Sequence, residues 1–359
     1  MSTRRVVQMV GVALMAALAL VMGSGATAFA AQPGEETYPH QQYENGAPLR
    51  HRGFTEARDL RDLVQVWRGF DNDNIWVSIN NGAPMQWPGA QSHAAPQIVW
   101  TAYGFRVYHT GTDGHIYYAG LSTDAYGHIT ALGSWQQVPN NVVTPNDSPP
   151  AVTSLYHAGD VNSELDHGGE SVYLAYRGAN STQIYGAFFY GVGSNRYPNN
   201  WHAPTAIPHA TSEVAPSLSY HQSWNRIVMA WAGEDLHTWA ASQIVGHSDW
   251  SAPEQIGTMQ TVTRPALVLT DNGGGQIAVV PYANGWSGGT TELISIFRDT
   301  SRASGIGYAL WTGEITGNNW SNLFLSAIED EAYLNATDYR GLGYYKHTLT
   351  FNGSPQKRR

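Results

Sequence analysis

Two pairs of neighbouring residues have the side chains that commonly bind sugars, an aromatic ring followed directly by an arginine. They are Trp67-Arg68 and Tyr176-Arg177. A sugar presents an apolar ring face and a rim of hydroxyls, so an aromatic platform and polar side chains hold it together. Arginine suits the polar role because its rigid fork carries five N–H donors. The strands predicted to follow add the aromatic residues Trp76, Tyr117, Tyr185 and Trp239. We therefore predict that these residues bind carbohydrate.

A packing role is the alternative for each of these aromatic residues. The segment Ile75-Trp76-Val77-Ser78 alternates in polarity, and one face of such a strand packs against a neighbouring sheet. An aromatic residue on that face fills the core and needs no ligand. The arginines favour binding, because a purely apolar packing site does not require a guanidinium beside each ring.

The aromatic residues belong to a unit that recurs along the chain. Each unit begins at a proline, and a tryptophan closes it. The prolines are Pro48, Pro96, Pro150, Pro216 and Pro265, and the tryptophans are Trp87, Trp135, Trp201, Trp250 and Trp320. The best-defined unit has strands predicted at 216–220, 226–231 and 236–241 and a fourth strand after Trp250. A period of ~40–50 residues with four strands per unit is typical of β-propeller blades. We predict an all-β fold, a single six-bladed propeller, with five or seven blades as alternatives.

The two ends of the chain are predicted to meet in one blade. A sixth unit starts near Asn322, and the sequence ends before its fourth strand, so residues 31–47 are predicted to supply that strand and close the ring. The propeller domain then spans 48–353 and is followed by a basic tail at 354–359. In the fifth unit, the spacing to Trp320 favours 293–298 as the second strand and leaves 276–284 as an extra strand or insertion.

Residues 1–30 have the features of a signal peptide. Arg4-Arg5 is followed by an apolar stretch at 10–21 and by the small-residue cleavage site Ala28-Phe29-Ala30. The apolar stretch is too short for a membrane span and contains Gly11. We therefore expect a secreted, extracellular protein without a membrane span, exported by the Sec or the twin-arginine route.

Charge and cysteine content exclude some functions. The formal net charge is −9, and removal of Arg4 and Arg5 takes it to −11, because residues 1–30 contain no acidic residue. Such a charge argues against binding nucleic acid or anionic lipid. The chain has no cysteine, so an exported form has no disulfide and depends on burial for stability.

One loop has the composition of a calcium site. The segment 160–166 carries alternating oxygen ligands at Asp160, Asn162, Glu164 and Asp166. An EF-hand requires glycine at the sixth position, where this segment has Leu165. The segment is therefore either a looser calcium loop or simply a polar loop, and calcium is the one candidate cofactor. His109, His115 and His128 lack the spacing of zinc ligands.

The repeat resembles secreted bacterial propellers of the sialidase-like and fucose-binding-lectin (PLL-like) kind. The shared pattern is Pro-Ala/Ser-Leu, an aromatic-x-Gly-x-Asp hairpin, Ile-Tyr/Trp and Trp-x-x-Pro, and it covers about 48–350. Sialidases also carry a Phe/Tyr-Arg-Ile-Pro motif, which is absent from this sequence, and Asp boxes, which 111–115 and 122–127 match only in part. The acidic pair Glu234-Asp235 has the position of solvated turn residues.

The resemblance and the residues together favour a lectin-like module over an enzyme. We expect its partners to be glycans or cell-surface polysaccharide. Two alternatives stay open. One is a protein-binding scaffold or inhibitor that uses the propeller face to hold another secreted protein. The other is a glycoside hydrolase of the sialidase-like fold, which would need two carboxyl groups about 5 Å apart if it retains configuration.

Overall fold

A computed structural model describes residues 35–38, 51–58, 62–69, 72–80, 82–101, 104–155, 171–190, 200–270, 274–279, 290–310, 315–316, 320–328, 331–338 and 344–349. Every helix or strand assigned in these ranges is a strand, as predicted. The same part of the chain holds no helix that could cross a membrane.

The strands of the first half are β1 (Glu35–Tyr38), β2 (His51–Arg58), β3 (Leu63–Gly69), β4 (Asn74–Ile79), β5 (Met85–Gln91), β6 (Gln97–Thr101), β7 (Gly104–Thr110), β8 (Ile116–Thr123), β9 (Ile129–Leu132), β10 (Gln136–Gln137), β11 (Ala151–Ser154), β12 (Ser171–Arg177) and β13 (Gln183–Tyr190). Those of the second half are β14 (Asn200–Trp201), β15 (Thr205–Thr211), β16 (Ser217–His221), β17 (Arg226–Ala232), β18 (His237–Ile244), β19 (Glu254–Gln260), β20 (Ala266–Thr270), β21 (Gly274–Val279), β22 (Thr290–Arg298), β23 (Ile306–Leu310), β24 (Ile315–Thr316), β25 (Trp320–Ile328), β26 (Glu331–Asp338) and β27 (Tyr344–Leu349).

The described strands form six sheets, which we number 1 to 6 in chain order. Sheet 1 is β2-β3-β4-β5, and sheet 4 is β16-β17-β18-β19. Sheet 2 is β6-β7-β8 with β9 and β10 both on β8, and sheet 3 is β11-β12-β13 with β14 and β15 both on β13. Sheet 5 is β20-β21-β22 with β23 and β24 both on β22, and sheet 6 is β25-β26-β27 with β1 beside β27.

Local sequence explains how sheet 4 forms. Pro216 has no N–H to donate and precedes β16, the first strand of the sheet. The turn between β17 and β18 is closed by Gly233, whose N–H donates to the His237 carbonyl over 2.8 Å. A Cβ at Gly233 would lie 2.6 Å from Asp235 Oδ1 and 2.7 Å from Trp239 Cδ1, so any larger residue would displace these two side chains. The chemistry of this hairpin is therefore encoded within a few residues.

The first strands of successive sheets lie against one another. The contacting pairs are β2 with β6, β6 with β11, β11 with β16, β16 with β20, β20 with β25, and β25 with β2. Arg264, just before β20, donates to Ser217 Oγ over 2.9 Å and to Gln97 Oε1 over 3.3 Å. Because Gln97 begins β6 and Ser217 begins β16, the starts of these three first strands converge on one point.

The hydrophobic core lies between the faces of consecutive sheets. The cluster between sheets 3 and 4 joins Ile184 and Ile207 to Ile227, Met229 and Trp231. Equivalent clusters lie between sheets 1 and 2, 2 and 3, and 4 and 5. Most of the repeated aromatic residues contribute to these clusters, so burial between sheets stabilises the fold, as expected for a chain without cysteine.

The fifth unit differs from the prediction. Its second strand is β21, which pairs with β20 and with β22, and 293–298 lies in the third strand, β22. Trp320 begins β25 in sheet 6 and does not close sheet 5. The prediction was wrong here because it placed the second strand by its distance along the sequence to Trp320, which belongs to the next sheet. Residues 1–30, 31–34, 39–50 and 354–359 lie outside the described ranges.

Candidate sugar pocket

A pocket of about 370 Å³ opens where sheets 3 and 4 meet. It is lined by His209, Thr211, Trp231, Gly233, Glu234, Asp235, Trp239 and Pro253. His209 and Thr211 come from β15 in sheet 3, and the other residues come from sheet 4 and its β17–β18 hairpin. We call this set the junction pocket. Its volume is that of a small-molecule site, which ranges over about 300–1,000 Å³.

Two tryptophans form the aromatic part of the junction pocket. Trp231 and Trp239 are directly paired across β17 and β18, so their side chains lie on the same face of the sheet. Trp231 is 1% exposed and belongs to the core cluster, whereas Trp239 is only half-buried. Trp231 therefore anchors the pocket, and Trp239 offers the accessible apolar ring.

Asp235 gives the pocket an ionised hydrogen-bond acceptor. Its Oδ1 accepts the Trp239 indole N–H over 3.0 Å and the His237 backbone N–H over 3.1 Å. Partial desolvation raises the pKa of Asp235, but the hydrogen bonds from Trp239 and His237 and the charge of His237 outweigh it, so the net pKa is lowered. The side chain is 47% exposed, so its remaining acceptor capacity faces the solvent.

A β-bulge in sheet 3 presents His209 to the pocket. His209 has a φ of 59°, in the left-handed region that non-glycine residues rarely occupy. The pairing of β13 with β15 shifts register there, and Gln183 Nε2 donates to the carbonyls of Ile207 and Ala210 over 2.8 and 3.1 Å. Bulges of this kind often re-aim a side chain next to a binding site.

The predicted aromatic residues occupy one repeated register position. Trp67 pairs with Trp76, His109 with Tyr117, Tyr176 with Tyr185, and Trp231 with Trp239. Each pair lies in a different sheet, so the structure does not bring the predicted residues into one site. Of the predicted set, only Trp239 lines the junction pocket. Sugar binding by the others stays a prediction.

The two predicted arginines contact the segments that connect their sheets to the next sheets. Arg68 is 8% exposed and donates to the His93 carbonyl. Arg177 donates to Glu213 over 3.2 Å. His93 and Glu213 each lie in the segment that leads from the arginine's sheet to the next, so both contacts tie a hairpin to that segment. Both contacts are structural, and sugar contact by either arginine stays a prediction.

The calcium prediction lies outside the described residues, since Asp160, Asn162, Glu164 and Asp166 fall between the ranges ending at 155 and starting at 171. Among the residues that the structure covers, no group of three or more His, Asp or Glu could hold a metal ion.

Several residues of the junction pocket were missed by the sequence argument. Trp231 was predicted only as the last residue of the strand at 226–231, and Glu234-Asp235 only as solvated turn residues. A signal for His209 and Thr211 did exist, because Pro208-His209-Ala210 repeats the spacing of Pro88-Gly89-Ala90. That pattern alone does not tell which neighbouring hairpin they face, since this depends on how sheets pack.

No protein-family model and no curated protein matches the chain. Solved structures do match. A mutant of Aleuria aurantia lectin in complex with Fucalpha1-6GlcNAc has a TM-score of 0.54 and 10% identity, over 85% of this chain and 95% of that one. A mutant of NanB sialidase from Streptococcus pneumoniae has a TM-score of 0.55 and 9% identity, over 89% of this chain and 71% of that one. Penicillium chrysogenum alpha-L-arabinanase complexed with arabinobiose has a TM-score of 0.51 and 12% identity, over 88% of this chain and 97% of that one. At such identities the likeness establishes the fold alone, and that fold is a β-propeller.

Proposed function

We propose that the chain is a secreted, carbohydrate-binding, lectin-like propeller of six blades, whose ring is closed by β1. The blade count is supported by six described sheets whose first strands contact one another in a closed series. Closure is supported by the position of β1 beside β27 in sheet 6. Export is supported by the signal-peptide features of residues 1–30.

The junction pocket is the observation that carries the functional part of the proposal. Trp239 supplies a half-buried ring for the apolar face of a sugar, and Asp235 supplies an acceptor for its hydroxyls. His209 and Thr211 add polar groups from the opposite wall. An aromatic platform with convergent polar groups is the arrangement that sugar recognition requires.

The charge of the pocket favours neutral sugars. Glu234 and Asp235 both line it, and the formal net charge of the whole chain is −9. An acidic sugar would bring a like charge next to the ionised Asp235, which costs binding energy. The ligand class that fits is therefore a neutral monosaccharide or a short neutral glycan end.

The pKa of Asp235 argues against a role as the general acid of a glycosidase. A glycosidase general acid needs a carboxyl group whose pKa is raised so that it is protonated at neutral pH. The pKa of Asp235 is lowered, because two hydrogen bonds stabilise its charged form. Asp235 is thus suited to accept hydroxyl protons in hydrogen bonds and not to donate a proton to a leaving group.

The experiment is a glycan array on the mature protein, with a panel of fluorogenic glycosides beside it. Binding to neutral glycans without turnover is the expected result. Asp235→Asn should weaken that binding, while the control Asp124→Asn should not, since Asp124 likewise accepts turn N–H groups but lies outside the pocket. Turnover of a glycoside would favour the hydrolase, and a blank array would overturn the lectin and favour a protein-binding scaffold.

A further inference from the structure

The junction between sheets 1 and 2 contains the same parts as the junction pocket. In sheet 2, Tyr117 pairs with His109 and with Gln137, as Trp239 in sheet 4 pairs with Trp231 and with Gln255. Asp113 accepts a hydrogen bond from the Tyr117 hydroxyl over 2.8 Å, as Asp235 accepts one from the Trp239 indole N–H. The hairpin of sheet 2 therefore reproduces the sugar-facing hairpin of sheet 4.

The opposite wall is reproduced as well. The strand β5 has nearly the exposure pattern of β15, and its Gly89 has a φ of 74° where His209 of β15 has 59°. Gly89 and Gln91 of sheet 1 thus correspond to His209 and Thr211 of sheet 3. Because glycine has no side chain, this second junction has more room on that wall than the junction pocket.

The room is taken by Trp135. Trp135 precedes Gln137 by two residues, as Pro253 precedes Gln255, so a large indole stands where the junction pocket has a proline. Its ring centroid lies 4.8 Å from that of Trp87 and 4.5 Å from that of His109. Its Cδ1 lies 4.0 Å from the position of a Cβ on Gly89. The indole therefore covers the wall that Gly89 leaves bare.

This closed arrangement leaves polar groups without partners. His109 is 2% exposed, and among the described residues neither of its ring nitrogens makes a hydrogen bond of good geometry, although the Thr110 backbone is close enough to act on its pKa. The indole Nε1 of Trp135 is also buried and has no hydrogen-bond partner among the described residues. Burial lowers the pKa of His109 to about 4, although a backbone contact with Thr110 and the charge of Asp113 raise it, so the ring is neutral near pH 7 and still has hydrogen-bonding capacity to offer a ligand. A buried polar group without a partner is unfavourable, and a ligand with hydroxyls could satisfy it.

We propose that the junction of sheets 1 and 2 is a second sugar pocket, which Trp135 closes in the free protein. A neutral sugar replaces the indole of Trp135 beside His109 and Tyr117, and its hydroxyls bond to His109 and Asp113. The proposal rests on the proposed function. Opening costs the packing of Trp135 on Trp87, so the apparent affinity of the second pocket is lower than that of the junction pocket by the fraction of molecules that are open.

The test counts sites by titration calorimetry with the neutral glycan that scores highest on the array. Trp135→Ala should raise the number of sites by one per chain relative to the wild type. Adding Asp113→Asn to that variant should remove the extra site. Trp250→Ala is the matched control, since Trp250 is also a half-buried closing tryptophan that packs on the core but lies outside both junction walls, and it should leave the number unchanged.

An unchanged number of sites in folded Trp135→Ala would overturn the second pocket while leaving the proposed function intact. A wild type that binds no glycan would overturn the proposed function instead. If Trp135→Ala and the milder Trp135→Leu both fail to fold, the proposal is tested by titrating the wild type at high sugar concentration. A second, weaker binding phase that Asp113→Asn abolishes supports the proposal, and a single phase contradicts it.

Discussion

Trp239 donates its indole N–H to Asp235 over 3.0 Å, and this bond joins the apolar ring of the junction pocket to its acceptor. Asp235 lies in the turn between β17 and β18, and Trp239 lies four positions later in β18, so the geometry of that turn fixes both. A site built on a tight hairpin is preorganised, which reduces the entropy lost on binding. The same hairpin recurs in sheet 2 with Tyr117 and Asp113.

The contribution of Asp235 to sugar binding should be insensitive to pH between about pH 7 and pH 5. Ionised Asp235 accepts the Trp239 bond and the sugar hydroxyls more strongly than its protonated form would, and its folded-state pKa lies below the ordinary 3.8. Its contribution is fully present above that ordinary value and is lost only as pH falls through the lowered pKa. The difference in affinity between the wild type and Asp235→Asn, measured by calorimetry, should therefore stay constant from pH 7 to about pH 5 and shrink below about pH 4. A difference that already shrinks near pH 6 would contradict this assignment.

Gly233→Ala should impair the pocket more than it impairs the fold. The added Cβ would collide with Asp235 Oδ1 and Trp239 Cδ1, 2.6 and 2.7 Å away, so both side chains must move. We expect sugar affinity to fall by about tenfold or more, because each 1.4 kcal/mol of lost interaction is a factor of ten.

The control for that variant is Gly246→Ala. Gly246 has a φ of 90° with nothing within 4 Å of an added Cβ, so the change strains the backbone without touching the pocket. It should destabilise the protein by about 1 kcal/mol, seen in urea denaturation, and leave affinity unchanged. Equal affinity in the two variants would show that the hairpin geometry does not matter for binding.

Deletion of residues 31–47 should lower stability strongly. The strand β1 lies beside β27, and its removal would expose the edge of sheet 6. We expect a loss of several kcal/mol in the free energy of unfolding and a lower Tm, since trimming an unpacked terminus costs far less. Deletion of the tail at 354–359 is the control. Equal Tm values for the two truncated proteins would refute closure by the N-terminal strand.

Calcium is expected to stabilise the protein if Asp160, Asn162, Glu164 and Asp166 bind it. A ligand that binds only the folded state stabilises it by mass action, by about 2.7 kcal/mol at a hundredfold excess over Kd. Calcium should raise Tm in thermal scans, EDTA should reverse the rise, and Asp160→Asn with Asp166→Asn should abolish it. No difference between calcium and EDTA would make the segment a polar loop.

Local features of the sequence were predicted well, as sheet 4 illustrates. The prediction of 226–231 for a strand matches β17 (Arg226–Ala232), because Pro216 and the Gly233 turn are signals carried by single residues. The fifth unit failed because its strands were placed by distance to Trp320, which belongs to the next sheet.

The candidate site could be predicted only in part. Trp239 was predicted because aromatic residues recur at its position in several units. His209 was not predicted, because it reaches the pocket from the preceding sheet. Contacts between sheets depend on tertiary packing, which the spacing of residues within one repeat does not encode. The sequence also did not show that Trp135 occupies the position of Pro253, because this equivalence depends on the register between two strands in each sheet.

The central claim is that the junction pocket binds a neutral sugar, and calorimetric titration of Trp239→Ala tests it most directly. The ligand is the neutral glycan that the wild type binds on the array, and Trp250→Ala is the control for loss of a half-buried tryptophan. Loss of the aromatic platform should weaken binding at the junction pocket by about tenfold or more, since ring packing contributes on the order of 1–3 kcal/mol. The control should bind as the wild type does. Wild-type affinity in a folded Trp239→Ala protein would contradict the account.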